Sequence, residues 1–174
     1  MQYTTAPCKR VFTKRNLDFK KIEVGYNAGQ FHHGARKEET LINQCLEYGL
    51  LIDKNLTART GEKAYQPFGK WCVCFALRNA QNHITGLYFR STLNNENAKH
   101  FYLKERSGLY PGYPNTHTKK LILTEAIIDA ATLLSNDEII KDYAILSCYG
   151  TNGLTEEHIN AIKIYNSWKK SYSF

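Results

Sequence analysis

Residues 120–134 read Lys120-Leu-Ile-Leu-Thr-Glu-Ala-Ile-Ile-Asp-Ala-Ala-Thr-Leu-Leu134. Leu121-Ile-Leu123 is a short apolar run of strand type. Ile127, Ile128, Ala131 and Leu134 then recur at helical spacing, so a strand runs into a helix over residues 126–135. Two carboxylates interrupt the apolar pattern: Glu125 at the end of the strand and Asp129 one helical turn later on the same side. They suit two readings. An acid near a helix N-terminus is favoured in any case, with Asp129 a solvated neighbour. Two carboxylates within reach of one point also suit Mg²⁺, which prefers oxygen ligands and keeps some of its water. Spacing alone leaves both open.

Downstream, Tyr143-Ala-Ile-Leu-Ser147 is a second apolar strand and Gly150-Thr-Asn-Gly153 a turn. Thr155 can N-cap a helix through about residue 166. Strand, helix, strand, helix at this spacing is a βαβα unit with parallel strands. Open α/β sheets place ligands at the carboxyl ends of their strands, where Glu125 and Gly150-Thr151 both fall. Gly150 either permits a plain tight turn or lets the backbone approach a phosphate.

Upstream, Trp71–Leu77 and Ile84–Arg90 are β-rich runs joined by the turn-like Arg78–His83, a hairpin. His100–Leu103 reads as a third short strand, and Ser107–Lys119, with two glycines and two prolines, as a connecting loop. Leu56–Phe68 reads as a polar loop. Residues 38–48 carry a helical stripe at positions 41, 42, 45 and 46, stopped by Gly49. Val24–Gly29 reads as a short strand and turn, and Leu17–Ile22 as a weak helix capped by Asn16. The fold class is therefore α+β / α/β: an N-terminal mixed α/β basic part, then a βαβα unit with parallel strands.

Composition narrows the setting. Hydrophobic residues make up 43% of the 174, enough for a real core. The formal charge is +7, from 23 Lys and Arg against 16 Asp and Glu. That fits a nucleic-acid or nucleotide partner, as it fits many proteins without one. No apolar run is long enough to span a bilayer and no signal-peptide pattern opens the chain, so a cytoplasmic protein without a membrane partner is expected. Cys8, Cys45, Cys72, Cys74 and Cys148 are odd in number and form no C-x-x-C pair, which points to neither a disulfide framework nor zinc. Cys72 and Cys74 share one strand face, where buried reduced thiols are expected.

Taken in order, these motifs resemble the catalytic core of bacterial-type DNA primases. Ile84-Thr-Gly-Leu-Tyr-Phe-Arg90 resembles the family's Gly-x-x-Gly-x-Arg stretch, and Lys99-His-Phe-Tyr-Leu103 its lysine-aromatic-leucine segment. Leu121-Ile-Leu-Thr-Glu125 with Asp129 resembles the first Toprim motif, and Gly150-Thr151 the Gly-Thr that follows it. The segment from His100 to Pro114, HFYLKERSGLYPGYP, looks like the Toprim-containing primases of mobile genetic elements. The resemblance implies a Toprim nucleotidyltransferase of DNA replication, making RNA primers on single-stranded DNA from NTPs. Glu125 would be the catalytic acid or base and a metal ligand, supported by Asp129. Mg²⁺ or Mn²⁺ would be the cofactor, weakly held, with no zinc. Arg90, Lys99 and Lys104 would hold template or nucleotide phosphates, together with Gly150 and Thr151. Residues 1–118 would be the basic subdomain and 119–174 the first half of a Toprim domain.

The sequence also departs from that pattern. Ala126 stands where the family has glycine after the acid. No Cys/His zinc-ribbon spacing precedes the core, and the second Toprim motif, Asp-x-Asp, is absent. The tail Ser167–Phe174 does not resemble the approach to such a strand; a frameshift near Asn166 would account for it. Little or no primer synthesis by this truncated core alone is expected. An unpaired edge on Leu121–Leu123 or Tyr143–Ser147 is expected too, and with it self-association or capture of Ser171–Phe174 as a substitute strand. The alternatives are a non-catalytic nucleic-acid-binding or interaction module that keeps only the basic face, and a different Toprim phosphotransferase or nuclease.

Overall fold

The computed structural model describes residues 17–31, 38–57, 59, 61–93 and 99–171, the last four without their side chains. The elements are β1 (Gly25–Asn27), α1 (Glu39–Glu47), β2 (Leu51–Thr57), β3 (Lys63–Pro67), β4 (Cys72–Arg78), β5 (Ile84–Ser91), β6 (His100–Tyr102), β7 (Lys120–Thr124), α2 (Ile127–Leu134), α3 (Asp137–Asp142), β8 (Tyr143–Ser147) and α4 (Glu156–Ser171). They form a four-stranded sheet in the order β1-β4-β5-β6, a β2-β3 hairpin and a parallel pair β7-β8. Two units divide the chain. Of the described residues, one unit holds those within 25–74 and 87–106; the other holds those within 17–24, 75–86 and 107–171.

In the first unit, α1 ends as its sequence directs. Gly49 N–H donates to Leu46 O at 3.1 Å and Leu50 N–H to Cys45 O at 2.7 Å, with Gly49 at φ +71°. This is a Schellman closure, which a glycine makes without steric cost. The polar segment after it is not a plain loop: β2 and β3 pair antiparallel from Leu51↔Pro67 to Thr57↔Lys63, with a shift in register between. Most of β2 is exposed, so no alternation of apolar residues marked it as a strand. Val73 and Phe89 are among the buried residues of this unit, and the Phe68 ring meets those of Phe89 and Phe101 edge-on at 5.3 and 6.4 Å.

In the second unit, β7 and β8 pair parallel and in register from Lys120↔Tyr143 to Thr124↔Ser147. The crossover is α2, which buries Ile127, Ile128, Ala130 and Ala131, followed by the short α3. α3 was not foreseen, although Asn136 caps it by accepting from Glu138 N–H at 3.0 Å. A core of Leu109, Leu146 and Ala161 is flanked by Tyr113, Leu121 and Ile162. Fully burying a leucine, as at Leu109 and Leu146, stabilises by about 1.5–3 kcal/mol. The segment Ser107–Lys119 is irregular, yet Leu109 bridges Arg78 and Tyr110 bridges Ser147, both antiparallel. The expected helix at Leu17–Ile22 is only a turn: Ile22 N–H reaches Asp18 O at 3.2 Å and no further turn follows. Its proposed cap, Asn16, lies outside the described residues, as do Cys8 and Tyr172–Phe174 of the tail.

Candidate functional site

The carboxyl ends of β7 and β8 are tied together by three successive bonds. Cys148 N–H donates to Thr124 O at 2.8 Å, Gly150 N–H to Glu125 O at 2.9 Å, and Thr151 Oγ1 to Glu125 Oε1 at 2.7 Å. Glu125 and Thr151, both exposed, thus meet at the sheet edge where ligands of parallel sheets collect. Gly150 adopts φ +103° in open space, so its need is conformational. Gly153 has the tighter steric role. A Cβ there would sit 2.3 Å from the Tyr149 carbonyl carbon, while its N–H closes the turn onto Gly150 O at 2.9 Å. Asp129 is exposed in the first turn of α2, its N–H donating to Ala126 O at 3.0 Å. An acid there is stabilised by the helix dipole.

Behind the turn lies His158, fully buried. Its Nε2 lies 2.9 Å from Ser147 O, and its Nδ1 faces the Thr155 hydroxyl at 2.6 Å and the Thr155 N–H at 3.2 Å. A carbonyl can only accept and an N–H can only donate, so the ring carries its proton on Nε2. The bond from Thr155 N–H to Nδ1 is one half of a capping box, with histidine in place of Glu or Gln at the third helical position. The ring fixes the start of α4 to the end of β8. Glu157, next to it, accepts from Gly108 N–H at 3.0 Å and from the Tyr113 hydroxyl at 3.4 Å. Burial and then the Glu157 carboxylate push the Tyr113 hydroxyl up. Tyr149 OH donates to Gly108 O, which holds the other side of the same loop.

Among the described residues, no group of three His, Cys, Asp or Glu side chains could hold a metal ion. Glu125 and Asp129 are two exposed carboxylates, and Mg²⁺ is commonly held by one or two carboxylates with water and substrate oxygens completing the shell. Cys45, Cys72, Cys74 and Cys148 are free thiols, and burial pushes Cys72 up to about 11.

The basic residues belong to the other unit. Arg90 pairs with His100 across β5 and β6, and Ser91 N–H donates to Lys99 O at 2.9 Å, so Arg90 and Lys99 share one end of the pair. Lys104, exposed, follows the opposite end of β6 and is not brought to them. Tyr88 and Tyr102 lie between, ring centroids 5.1 Å apart, with the Arg106 guanidinium 5.2 Å over Tyr102. Burial raises the Tyr102 hydroxyl to about 12, the neighbouring Tyr88 adding to it and Arg106 opposing. Sequence reasoning passed over Lys70 and Trp71. Trp71 reads as the first residue of a strand, whereas it sits in the turn before β4 at φ +61°. The cue was the run Gly69-Lys70-Trp71, a glycine-led turn carrying a cation and a large aromatic.

No family model and no curated protein matches the sequence. Solved structures do match its fold. The DnaG primase catalytic domain bound to single-stranded DNA superposes with a TM-score of 0.68 at 16% identity, over 95% of this chain and 55% of that one. The E. coli primase catalytic core gives 0.68 at 16% identity, over 94% and 54%. The zinc-binding and RNA polymerase domains of the Aquifex aeolicus primase give 0.69 at 16% identity, over 93% and 41%. The chain has the fold of bacterial primase catalytic cores and spans about half the length of the first of them.

Proposed function

We propose that this chain is a primase-like core in which a basic nucleic-acid-binding part, residues 1–118, precedes the first half of a Toprim nucleotidyltransferase site, residues 119–174. The observation that carries it is the bond from Thr151 Oγ1 to Glu125 Oε1 at the carboxyl ends of a parallel strand pair, in a fold matched by primase cores. Solved primase cores include one with single-stranded DNA and one with a duplex bearing an overhang, which supports the same class of partner here. Glu125 and Asp129 would hold Mg²⁺ or Mn²⁺, which when bound would neutralise charge on phosphate oxygens. Glu125 would take or give a proton at its free carboxylate oxygen, held in place by Thr151. The Gly150–Gly153 turn would present Thr151 to phosphate. Arg90 and Lys99 would grip template or nucleotide phosphates by charge-assisted bonds, with Lys104 a more distant contact. With two carboxylates and no third ligand among the described residues, metal binding would be weak and primer synthesis by the 174 residues alone low. That shortage is also what favours the second reading, a non-catalytic nucleic-acid-binding module.

The test pairs two assays on the 174-residue chain. Single-stranded DNA binding should weaken with rising salt and with Arg90→Ala. Mn²⁺ binding, followed by water-proton relaxation, should be lost in Glu125→Gln. Salt-sensitive DNA binding without Glu125-dependent metal binding would favour the module. Absence of both would refute the primase-like reading, and robust primer synthesis would refute the incomplete site.

A further inference from the structure

We propose that Trp71 is a stacking platform for a base of single-stranded nucleic acid, with Lys70 holding the adjoining phosphate. The inference deepens the nucleic-acid reading above and rests on it. Trp71 is 39% exposed. Its backbone is gripped on both sides: its N–H donates to Asn27 O at 2.8 Å, and its carbonyl accepts from Thr92 N–H at 2.9 Å and Thr92 Oγ1 at 2.7 Å. Asn27 adds a bond from its Nδ2 to Phe68 O at 2.7 Å and accepts from Gly29 N–H at 2.8 Å. These bonds hold a bulky residue at φ +61°, a left-handed conformation that costs on the order of 1 kcal/mol for a residue with a Cβ. Outliers over-determined by their surroundings concentrate at ligand sites.

Lys70 is fixed as well. Its methylenes pack over Gly29, where a Cβ would fall 2.1 Å from the Lys70 Cγ, and its ammonium lies 5.1 Å from the Trp71 ring centroid. The hydrogen bonds Thr92–Trp71 and Ser91–Lys99 put Lys70, Trp71, Arg90 and Lys99 around one end of the sheet. Among the described residues neither Arg90 nor Lys99 has an ion-pair partner. An indole face beside cations suits a strand whose bases are uncovered; in a duplex those faces are already stacked.

The test is an anisotropy titration of labelled oligo(dT) with the full chain, at several salt concentrations. Trp71→Ala should weaken binding roughly 5- to 100-fold with the salt slope unchanged. Trp71→Phe should keep most of the affinity, and Lys70→Ala should lower the slope by about one. In Trp168→Phe, which leaves Trp71 as the sole tryptophan, oligo(dT) should quench its emission. If Trp71→Ala does not fold, the Phe variant and the quenching decide. Salt-sensitive binding indifferent to Trp71, or unquenched emission, overturns the platform and leaves the basic surface standing. Equal affinity for duplex DNA that ignores Trp71→Ala overturns it too. No binding by the wild type overturns both.

Discussion

Replacing His158 by alanine should destabilise the chain far more than a typical substitution. The imidazole is fully buried and bonds Ser147 O at one nitrogen and Thr155 at the other. Alanine removes the partner of a buried carbonyl and of the Thr155 hydroxyl, and leaves a void beside the Tyr149 ring, 4.8 Å away between centroids. The buried Ser147 carbonyl left without its partner costs about 1–3 kcal/mol, and the half-buried Thr155 hydroxyl and the void add to that. Stability for a chain of this kind is about 5–15 kcal/mol in total. With a urea slope of about 2 kcal/mol/M, a 3 kcal/mol loss moves the midpoint by about 1.5 M. Urea unfolding followed by near-UV circular dichroism measures this. ¹⁵N NMR of the ring should also show a protonated Nε2 and a bare Nδ1. A loss below about 1 kcal/mol, or the opposite tautomer, would refute the reasoning.

Other expectations are as specific. Gly153→Ala should destabilise more than Gly150→Ala, because only the former drives a Cβ into backbone; thermal midpoints of the two variants decide. In thiol alkylation at pH 8, Cys45 should react well before Cys72, which is 1% exposed and held up to about 11; mass spectrometry of timed samples gives the order. Because the folded Cys72 thiol is raised from 9.0, its stabilising effect is full below pH 9 and fades as pH rises towards 11, so Cys72→Ser should flatten the alkaline limb of the stability curve. Asp142 is lowered by its bond from Lys119 and by the charge of that ammonium. Its contribution is present above its ordinary value of 3.8 and lost as pH falls below it, so Asp142→Asn should soften the acid limb. Finally, Leu123, 48% exposed in β7, should carry any self-association, and Leu123→Lys should lower it in sedimentation velocity.

How far the sequence could be read depended on where side chains rather than backbone do the work. The parallel pair and its crossover were legible because Leu121–Leu123, Ile127, Ile128 and Tyr143–Ser147 are apolar at the right periods. The β4–β5 hairpin was legible from β-rich runs flanking an Asn-rich turn, where Asn79 Oδ1 accepts from Gln81 and His83 N–H. The β2–β3 hairpin escaped because most of β2 faces solvent and no residue of β3 is fully buried, so neither strand shows an apolar alternation. α3 escaped because six residues are too few to show a period, though its cap was visible. Glu125 could be picked out as a strand-end acid. Its bond to Thr151 depends on a register between residues 26 apart, which no local pattern encodes. Trp71 was hidden by its type: an aromatic beside a β-run reads as core until the turn that exposes it is known.

Leu109 and Tyr110 are hydrogen-bonded on both flanks, to Arg78 on one side and Ser147 on the other. Arg78 N–H donates to Leu109 O, Leu109 N–H to Arg78 O and Ser147 N–H to Tyr110 O, each at 2.9 Å. The consequence is one of timing. During synthesis this dipeptide can dock on the hairpin as soon as it leaves the ribosome, but its second flank stays bare until Ser147 emerges. At about 5–20 residues per second, that wait lasts a few seconds. For that interval, between the appearance of Tyr110 and that of Ser147, the nascent chain presents a half-satisfied strand to its surroundings.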